Sequence, residues 1–282
     1  MRQPRILVIQ DISASCRISM NVALPVLSCL NNGVNILPTA LLSTHTGSSF
    51  PDYTFLDLTG ELKKIVAHWR ELDLKFDGIL IGYLGSLEQI SLVEEIIEHF
   101  LKDEGISVLD PVMGDHGILY SGFDDEYISE MRQLCGMVSV LIPNMTEASF
   151  LLQKEYSTIP YTEEMIHEYL QELSHLHNGK SVLTGISYDG ENIGAACFDQ
   201  EKHEYASALA PIQPAHFDGT GDLFSSVVAG YLFQGKSLAF ATKTAVEYIN
   251  RVIVRTLESG MDLKYGIQFE TDLPYLIERL YQ

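Results

Sequence analysis

His216-Phe217-Asp218-Gly219-Thr220-Gly221-Asp222-Leu223-Phe224 runs without a break into Ser225-Ser226-Val227-Val228-Ala229-Gly230-Tyr231-Leu232-Phe233. The first half is turn chemistry and the second is an apolar helix. Two glycines flanking Thr220 let the backbone fold tightly and come close to a ligand, because neither carries a Cβ. The helix then presents unpaired N–H groups and the positive end of its dipole at that turn. Together they form an anion site suited to a phosphate or a developing phosphoryl oxyanion. Asp222 is the odd member of such a site. A carboxylate there either caps the helix or takes a proton from a group about to attack the anion. The spacing alone leaves both readings open.

The chain around this stretch has 282 residues, 46% hydrophobic and 20% charged, a composition that fits one large α/β core spanning 1–282 as a single domain. A net charge of −20 argues against nucleic acid or an anionic membrane as partner, since both require clustered Lys and Arg. Four scattered cysteines, Cys16, Cys29, Cys135 and Cys197, form no C-x-x-C pair, which predicts reduced thiols and neither a zinc site nor a disulfide framework. A strand-like run begins at Arg5 and no apolar segment reaches about 18 residues, so neither a signal peptide nor a membrane span is expected and the location predicted is cytoplasmic.

Short β-branched runs alternate with longer helical patterns. Strands are predicted over 5–10, 34–40, 77–82, 106–110, 138–143 and 181–184, with helices over 18–30, 58–71, 87–102, 124–134 and 163–175. This βα rhythm implies a mostly parallel sheet with helices on both faces. After Thr184 the pattern changes: 192–198 and 203–208, around Asp199-Gln200, predict a late antiparallel hairpin. The last third is predicted helical over 218–234, 237–256 and 271–281.

In such a sheet, ligands bind outside the carboxyl ends of the strands, and those ends carry small, polar or glycine-rich segments. Asp110 and Glu147 are the informative carboxylates there. Strand-end acids supply hard oxygen ligands, direct or through water, for Mg²⁺. Equally, Glu147 can cap the helix it starts and Asp110 the turn before Pro111.

Several of these segments resemble those of a known family. Gly219-Thr220-Gly221-Asp222 resembles the Gly-x-Gly-Asp signature of ribokinase-like small-molecule kinases, and Asn144-Met145-Thr146-Glu147 resembles their Asn-x-x-Glu motif. Leu42-Ser43-Thr44-His45-Thr46-Gly47, Gly82-Tyr83-Leu84-Gly85-Ser86 and Asp110-Pro111-Val112-Met113-Gly114 resemble, in this order along the chain, segments of the pyridoxal kinase branch. The resemblance spans about 6–255. It implies a ribokinase-like α/β fold, ATP as phosphoryl donor and a vitamin B6 vitamer as acceptor. Asp222 would be the general base, with Gly219, Thr220 and Gly221 as the anion hole. Asp110 and Glu147 would hold Mg²⁺, and Asn144, Thr184 and the loop 209–217 ending at Phe217 would hold the nucleotide. K⁺ and a homodimer are implied by the family alone.

The acceptor is a flat heteroaromatic ring, and the resemblance puts Thr46 and Tyr83 in its pocket. Tyr83 would stack on the ring or meet its edge, Thr46 and Ser13 or Asp11 would bond its polar edge, and Val22 or Ile12 would cover a face. Asp11 and Cys16 depart from the family, which more often has Ser and Gly there. An acid at 11 pairs with a protonated ring nitrogen or an amine, which leaves the ranking of vitamers open. His45 reads as a structural strand-end histidine. His116 falls in a lid-like segment, 115–120, that holds no cysteine to trap an aldehyde. Two alternatives share the motifs: a hydroxymethylpyrimidine kinase, and a non-catalytic vitamer-binding regulatory protein on the same fold.

Overall fold

A strand that is apolar at every position is stable only with both faces covered, and Ile6-Leu7-Val8-Ile9 and Ile79-Leu80-Ile81 impose that demand on the centre of the molecule. The computed structural model describes residues 3–47, 49–177, 179–215 and 217–282. His216, which opens the stretch quoted above and belongs to the loop 209–217, lies outside the described residues. The elements run β1 (Arg5–Ser13), α1 (Met20–Cys29), β2 (Gly33–Leu42), β3 (Phe55–Asp57), α2 (Thr59–Glu71), β4 (Phe76–Ile81), α3 (Leu87–Phe100) and β5 (Leu101–Leu109). There follow β6 (Gly114–Asp115), β7 (Ile118–Leu119), α4 (Asp125–Cys135), β8 (Val140–Leu141), α5 (Met145–Leu152), α6 (Glu163–His177) and β9 (Lys180–Ile186). The chain closes with β10 (Asn192–Asp199), β11 (Glu204–Pro211), α7 (Thr220–Phe233), α8 (Leu238–Ser259) and α9 (Leu273–Leu280).

Nine strands form one sheet in the order β11-β10-β9-β8-β5-β4-β1-β2-β3. Every pair from β9 to β2 is parallel. Antiparallel strands finish both edges, β3 beyond β2 and the β10–β11 hairpin beyond β9. Alternation of side chains along the central strands divides the apolar residues between two cores. Leu7, Ile9, Ile79 and Ile81 face the core covered by α2 to α6, while Ile6, Val8, Leu80 and Val108 face α1, α7, α8 and α9. These eight side chains are essentially inaccessible, and each contributes on the order of 1.5–3 kcal/mol by leaving water. The expected ribokinase-like α/β architecture is therefore the one that forms, a mostly parallel sheet with helices on both faces and a late antiparallel hairpin.

The departures are local. β3 was not expected, because its three residues are exposed throughout and show no alternation. The β6–β7 ladder was likewise not anticipated, since two-residue strands carry too little periodicity, while the helix expected to start at Glu147 forms as α5, with only 8 residues. The helix expected over 87–102 ends at Phe100 and the strand starts directly at Leu101. The strand expected over 138–143 shrinks to β8, because Asn144 caps α5 just beyond it. Helix 18–30 starts only at Met20, since Ser19 takes φ 49°, and helix 218–234 starts at Thr220, since Gly219 takes φ 82°. All four cysteines are unpaired. Among the described residues, no helix is long and apolar enough to cross a membrane.

Gly194 lies within β10 between β9 and β11, where a Cβ would run into the main-chain carbonyl of Ala208 on β11. Gly194→Ala should cost roughly 1–3 kcal/mol of stability through forced separation of the hairpin. Urea denaturation checks this, and an unchanged midpoint would contradict it.

Candidate active site

The carboxyl ends of the parallel strands converge on one rim, and α7 delivers its N-terminus to the same place. Gly219 precedes α7 with φ 82°, and a Cβ there would lie 2.5 Å from the carbonyl oxygen of Arg17. Only glycine satisfies both the left-handed backbone and that close approach. Thr220 and Gly221 form the first turn behind it, so their amides and that of Gly219 gather at the end of the helix. Nothing lies within 4 Å of a Cβ built on Gly221, which leaves its face of the turn open.

Asp222 stands in that first turn and is partly exposed. Burial of its carboxyl pushes its pKa up to about 7, Asp11 and Asp110 add repulsion, and a hydrogen bond from the Ser19 amide opposes the rise. Asp110 ends β5, where its amide bonds Ile81 O at 2.9 Å and its Oδ2 accepts the Ser225 hydroxyl at 2.7 Å. Burial lifts its pKa to about 6 against the favourable Ser225 bond. Asp11 is 5% exposed and is also raised by burial, with the Ser19 hydroxyl bonding to its charged form. These acids sense one another, so the structure brings Asp11, Asp110 and Asp222 together with the α7 turn.

Asn144 and Glu147 cap α5 reciprocally. Asn144 Oδ1 accepts from the Glu147 amide at 2.9 Å and Glu147 Oε2 accepts from the Asn144 amide at 2.8 Å. Glu147 Oε1 takes the Met113 amide at 3.2 Å, and Asn144 Nδ2 donates to Gly114 O at 2.9 Å. Both motif residues therefore fasten the segment after β5 to α5. Burial and the nearby Asp110 hold Glu147 well above the ordinary carboxylate range. Thr184 pairs with Asn144 as an isolated parallel bridge, and its amide bonds Pro143 O at 3.0 Å. Phe217 packs, partly buried, against the core under α7 and α8. Between β11 and α8 a groove of about 460 Å³ runs toward the rim, lined by Ala208, Ala210, Pro211, Lys243, Val246 and Asn250 among others.

On the other side of Asp222, Tyr83 follows β4 and is partly exposed, its ring centroid 6.1 Å from Phe123. Phe123 stacks on Tyr127 at 3.8 Å, and the Tyr127 hydroxyl is anchored on Leu84 O at 2.7 Å. Burial pushes the Tyr83 phenol up to about 12, helped by Asp11. Thr46 lies exposed on the loop after β2. Ser13 is fully buried, and its hydroxyl has no hydrogen-bond partner among the described residues. Val22 is at 0% exposure inside the core beneath α1, so it does not cover a ligand face. His45 is structural, as expected: its Nδ1 accepts from the Gly47 amide at 2.9 Å and its Nε2 meets Lys264 O at 2.9 Å, which assigns the ring proton to Nε2. Its Nε2 also lies 3.5 Å from Asp218 Oδ2. The His116 side chain is exposed at the tip of the β6–β7 ladder, which Gly117 ties to Thr146 Oγ1 at 2.9 Å.

Sequence reasoning missed Ser19, Ser225 and Tyr120. Tyr120 is 44% exposed overall, and desolvation of its hydroxyl together with the charges of Glu147, Asp115, Asp110 and Asp222 pushes its phenol up. Ser225 had a signal, one helical turn beyond Asp222 on the same face. Ser19 and Tyr120 had none.

In ligand-free protein, Asp222 and Glu147 keep protons at pH values where the unfolded chain, near its ordinary 3.8 and 4.5, has lost them. The folded state then binds more protons, so this contribution to stability is complete at low pH and is lost as pH rises through the folded values. Buried His177, lowered from 6.5 to about 4, works in the opposite sense only below 6.5. Thermal unfolding should therefore shift to lower temperature between pH 6.5 and about 8, with a shallower slope in Asp222→Asn. A midpoint rising across that window would refute the raised values.

The sequence profile of the phosphomethylpyrimidine kinase family matches residues 63–266 of this chain. Pyridoxal kinase of Arabidopsis thaliana is 28% identical over 263 residues, covering 90% of this chain and 82% of the relative. The crystal structure of pyridoxal kinase from Lactobacillus plantarum is 34% identical and superposes with a TM-score of 0.90, covering 98% of both chains. A Bacteroides thetaiotaomicron protein crystallised with pyridoxal is 36% identical, with a TM-score of 0.90 over 100% of this chain and 96% of its own.

Proposed function

The chain belongs to the phosphomethylpyrimidine kinase family, and we propose that, as one catalytic unit, it transfers the γ-phosphoryl group of ATP to the 5′-hydroxymethyl group of a vitamin B6 vitamer. The observation that carries this reading is the placement of Asp222. It stands in the first turn of α7, beside the amides of Gly219, Thr220 and Gly221, with its pKa lifted to about 7. A base is most effective when its pKa lies near the working pH. In this reading Asp222 accepts the hydroxymethyl proton as that oxygen attacks the γ-phosphorus, while the amides hold the transferring oxygens. Each such donor is worth on the order of 3 kcal/mol in the transition state.

The acceptor ring occupies the side of Tyr83 and Asp11, with Thr46 contributing from the loop after β2; Ser13, fully buried at the end of β1, is not exposed to it. The nucleotide lies across Asn144, Thr184 and Phe217, with its base toward the groove between β11 and α8. Among the described residues no lysine or arginine side chain acts on Asp110, Glu147 or Asp222, and acid oxygens left without a cationic partner fit a divalent cation. Both Glu147 oxygens are taken by amides, so Glu147 fits contact through water, with Asp110 nearer the ion. When bound, Mg²⁺ would neutralise phosphate charge as it shifts between donor and acceptor. Asp110 and Glu147 would orient it, and Ser225 would fix the Asp110 carboxylate.

The test is an ATP/Mg²⁺ assay on pyridoxal, pyridoxine, pyridoxamine and hydroxymethylpyrimidine in parallel. Asp222→Asn should lose about 10²–10⁴ in kcat on the vitamer that is turned over. The family profile makes hydroxymethylpyrimidine the competing acceptor, and turnover of it alone would replace the vitamer reading. Vitamer binding without any turnover would favour a sensor.

The pH dependence carries a second expectation. Because Asp222 must be ionised to accept a proton, kcat/KM should fall as pH drops below about 7. A profile that stays flat down to the ordinary carboxylate range would remove Asp222 from this role.

A further inference from the structure

We propose that His45 is a positioning residue that joins the loop carrying Thr46 to the turn that opens α7. The proposal rests on the kinase reading above, with Thr46 at the acceptor and the amides of Gly219, Thr220 and Gly221 at the transferring oxygens. His45 is 7% exposed, whereas Thr46 beside it is exposed. An imidazole so buried has two ring nitrogens to satisfy, and here they serve different parts of the chain. Nδ1 accepts the Gly47 amide at 2.9 Å and closes the backbone around Thr46. Nε2 donates to Lys264 O at 2.9 Å and lies 3.5 Å from Asp218 Oδ2, the residue next to Gly219. One ring thus links the backbone that presents Thr46 to the approach to the anion-hole amides.

Both arms are held by their surroundings. On the loop side, the Phe50 amide bonds Gly47 O at 3.0 Å, and the Phe50 ring meets the imidazole edge-on with centroids 4.9 Å apart. A Cβ on Gly47 would come within 2.7 Å of His45 Nδ1 and Cε1, so loop and ring fit only with glycine there. On the turn side, Lys264 lies in the single helical turn Leu263–Tyr265, and Tyr265 O accepts the Arg17 amide at 2.9 Å. The Arg17 carbonyl packs under both Gly219 and Gly266, where Cβ atoms would approach it to 2.5 and 2.7 Å. Arg17 and the segment 264–266 therefore form the floor of the Gly219 turn, and His45 Nε2 is bonded to that floor. A change in the ring shifts the loop against the turn, and misplacements of about 1 Å between reacting groups lower rates by large factors.

Two variants of the full chain separate the arms. His45→Asn keeps an acceptor where Nδ1 stands, able to close on the Gly47 amide as an Asx turn, and is too short to reach Lys264. His45→Gln carries its NH₂ group toward the place of Nε2 and leaves the Gly47 amide without its acceptor. In the ATP/Mg²⁺ assay, His45→Asn should lower kcat about tenfold with KM for the vitamer within about twofold. His45→Gln should raise that KM about three- to tenfold with kcat within about twofold. Wild-type constants in both would overturn the proposal, as would equal changes of both constants in the two variants, the result of lost packing alone. Gly47→Ala keeps the histidine and pushes its ring off both partners, so the role can be read even where a variant at 45 does not fold. It should lower kcat as well as raise KM, and an unchanged kcat would overturn the proposal. Asp222→Asn is assayed alongside. If it retains full kcat, the underlying reading fails and the proposal falls with it; if it is inactive while the variants at 45 and 47 keep wild-type constants, only the positioning role fails.

Discussion

Burial raises the pKa of four carboxylates around the rim, Asp11, Asp110, Glu147 and Asp222, and among the described residues no cationic side chain offsets it for any of them. A charged acid removed from water without a partner is unfavourable, and the usual outcomes are a raised pKa or a bound cation. Much of the rim follows from that constraint. The groups that stabilise these charges are neutral donors, among them the amides of Met113 and Asn144 on Glu147 and the Ser225 hydroxyl on Asp110. Neutral donors soften the repulsion without cancelling it. The site is left short of positive charge, which is the condition for receiving an anion accompanied by a metal.

Those donors come from backbone that leaves regular structure at set points, and this explains where the helices start. α7 begins at Thr220 because Gly219 turns the chain at φ 82°, and α1 begins at Met20 because Ser19 turns it at φ 49°. α5 is short, yet its reciprocal cap joins the segment after β5 to the helix after β8. A packed two-core sheet supplies the rigidity, and the turns at its rim spend that rigidity on geometry.

Much of this was legible in the residues. Runs such as Ile79-Leu80-Ile81 announce strands covered on both faces, and Gly219-Thr220-Gly221-Asp222 announces a tight turn into a helix with an acid in its first turn. Glu147 shows the limit of such reading. Its spacing from Asn144 fitted both a cap and a metal site, and the structure shows the cap directly, with both oxygens engaged by amides. β3 was illegible because an exposed three-residue edge strand has no pattern to read. Ser19 was illegible for a different reason: serine gives no local sign of positive φ, and the conformation is imposed by Arg17, Asn21 and the α7 turn, which are brought together only by folding. Val22 was misread because helical phase, not proximity in sequence to Asp11, decides which way it points.

The order of strands in the sheet has an evolutionary consequence. Asp11 lies in β1 and Tyr83 follows β4, on one half of the sheet, whereas Asn144, Thr184 and the groove against α8 belong with β8, β9 and β11, on the other. Asp110, at the end of β5, and α7 stand between them. Under the function proposed above, substitutions that retune which ring is accepted fall on different segments from those that retune the donor, and neither group need touch the central turn. A lineage of that function can therefore change its acceptor by drift in two segments while keeping the α7 turn intact.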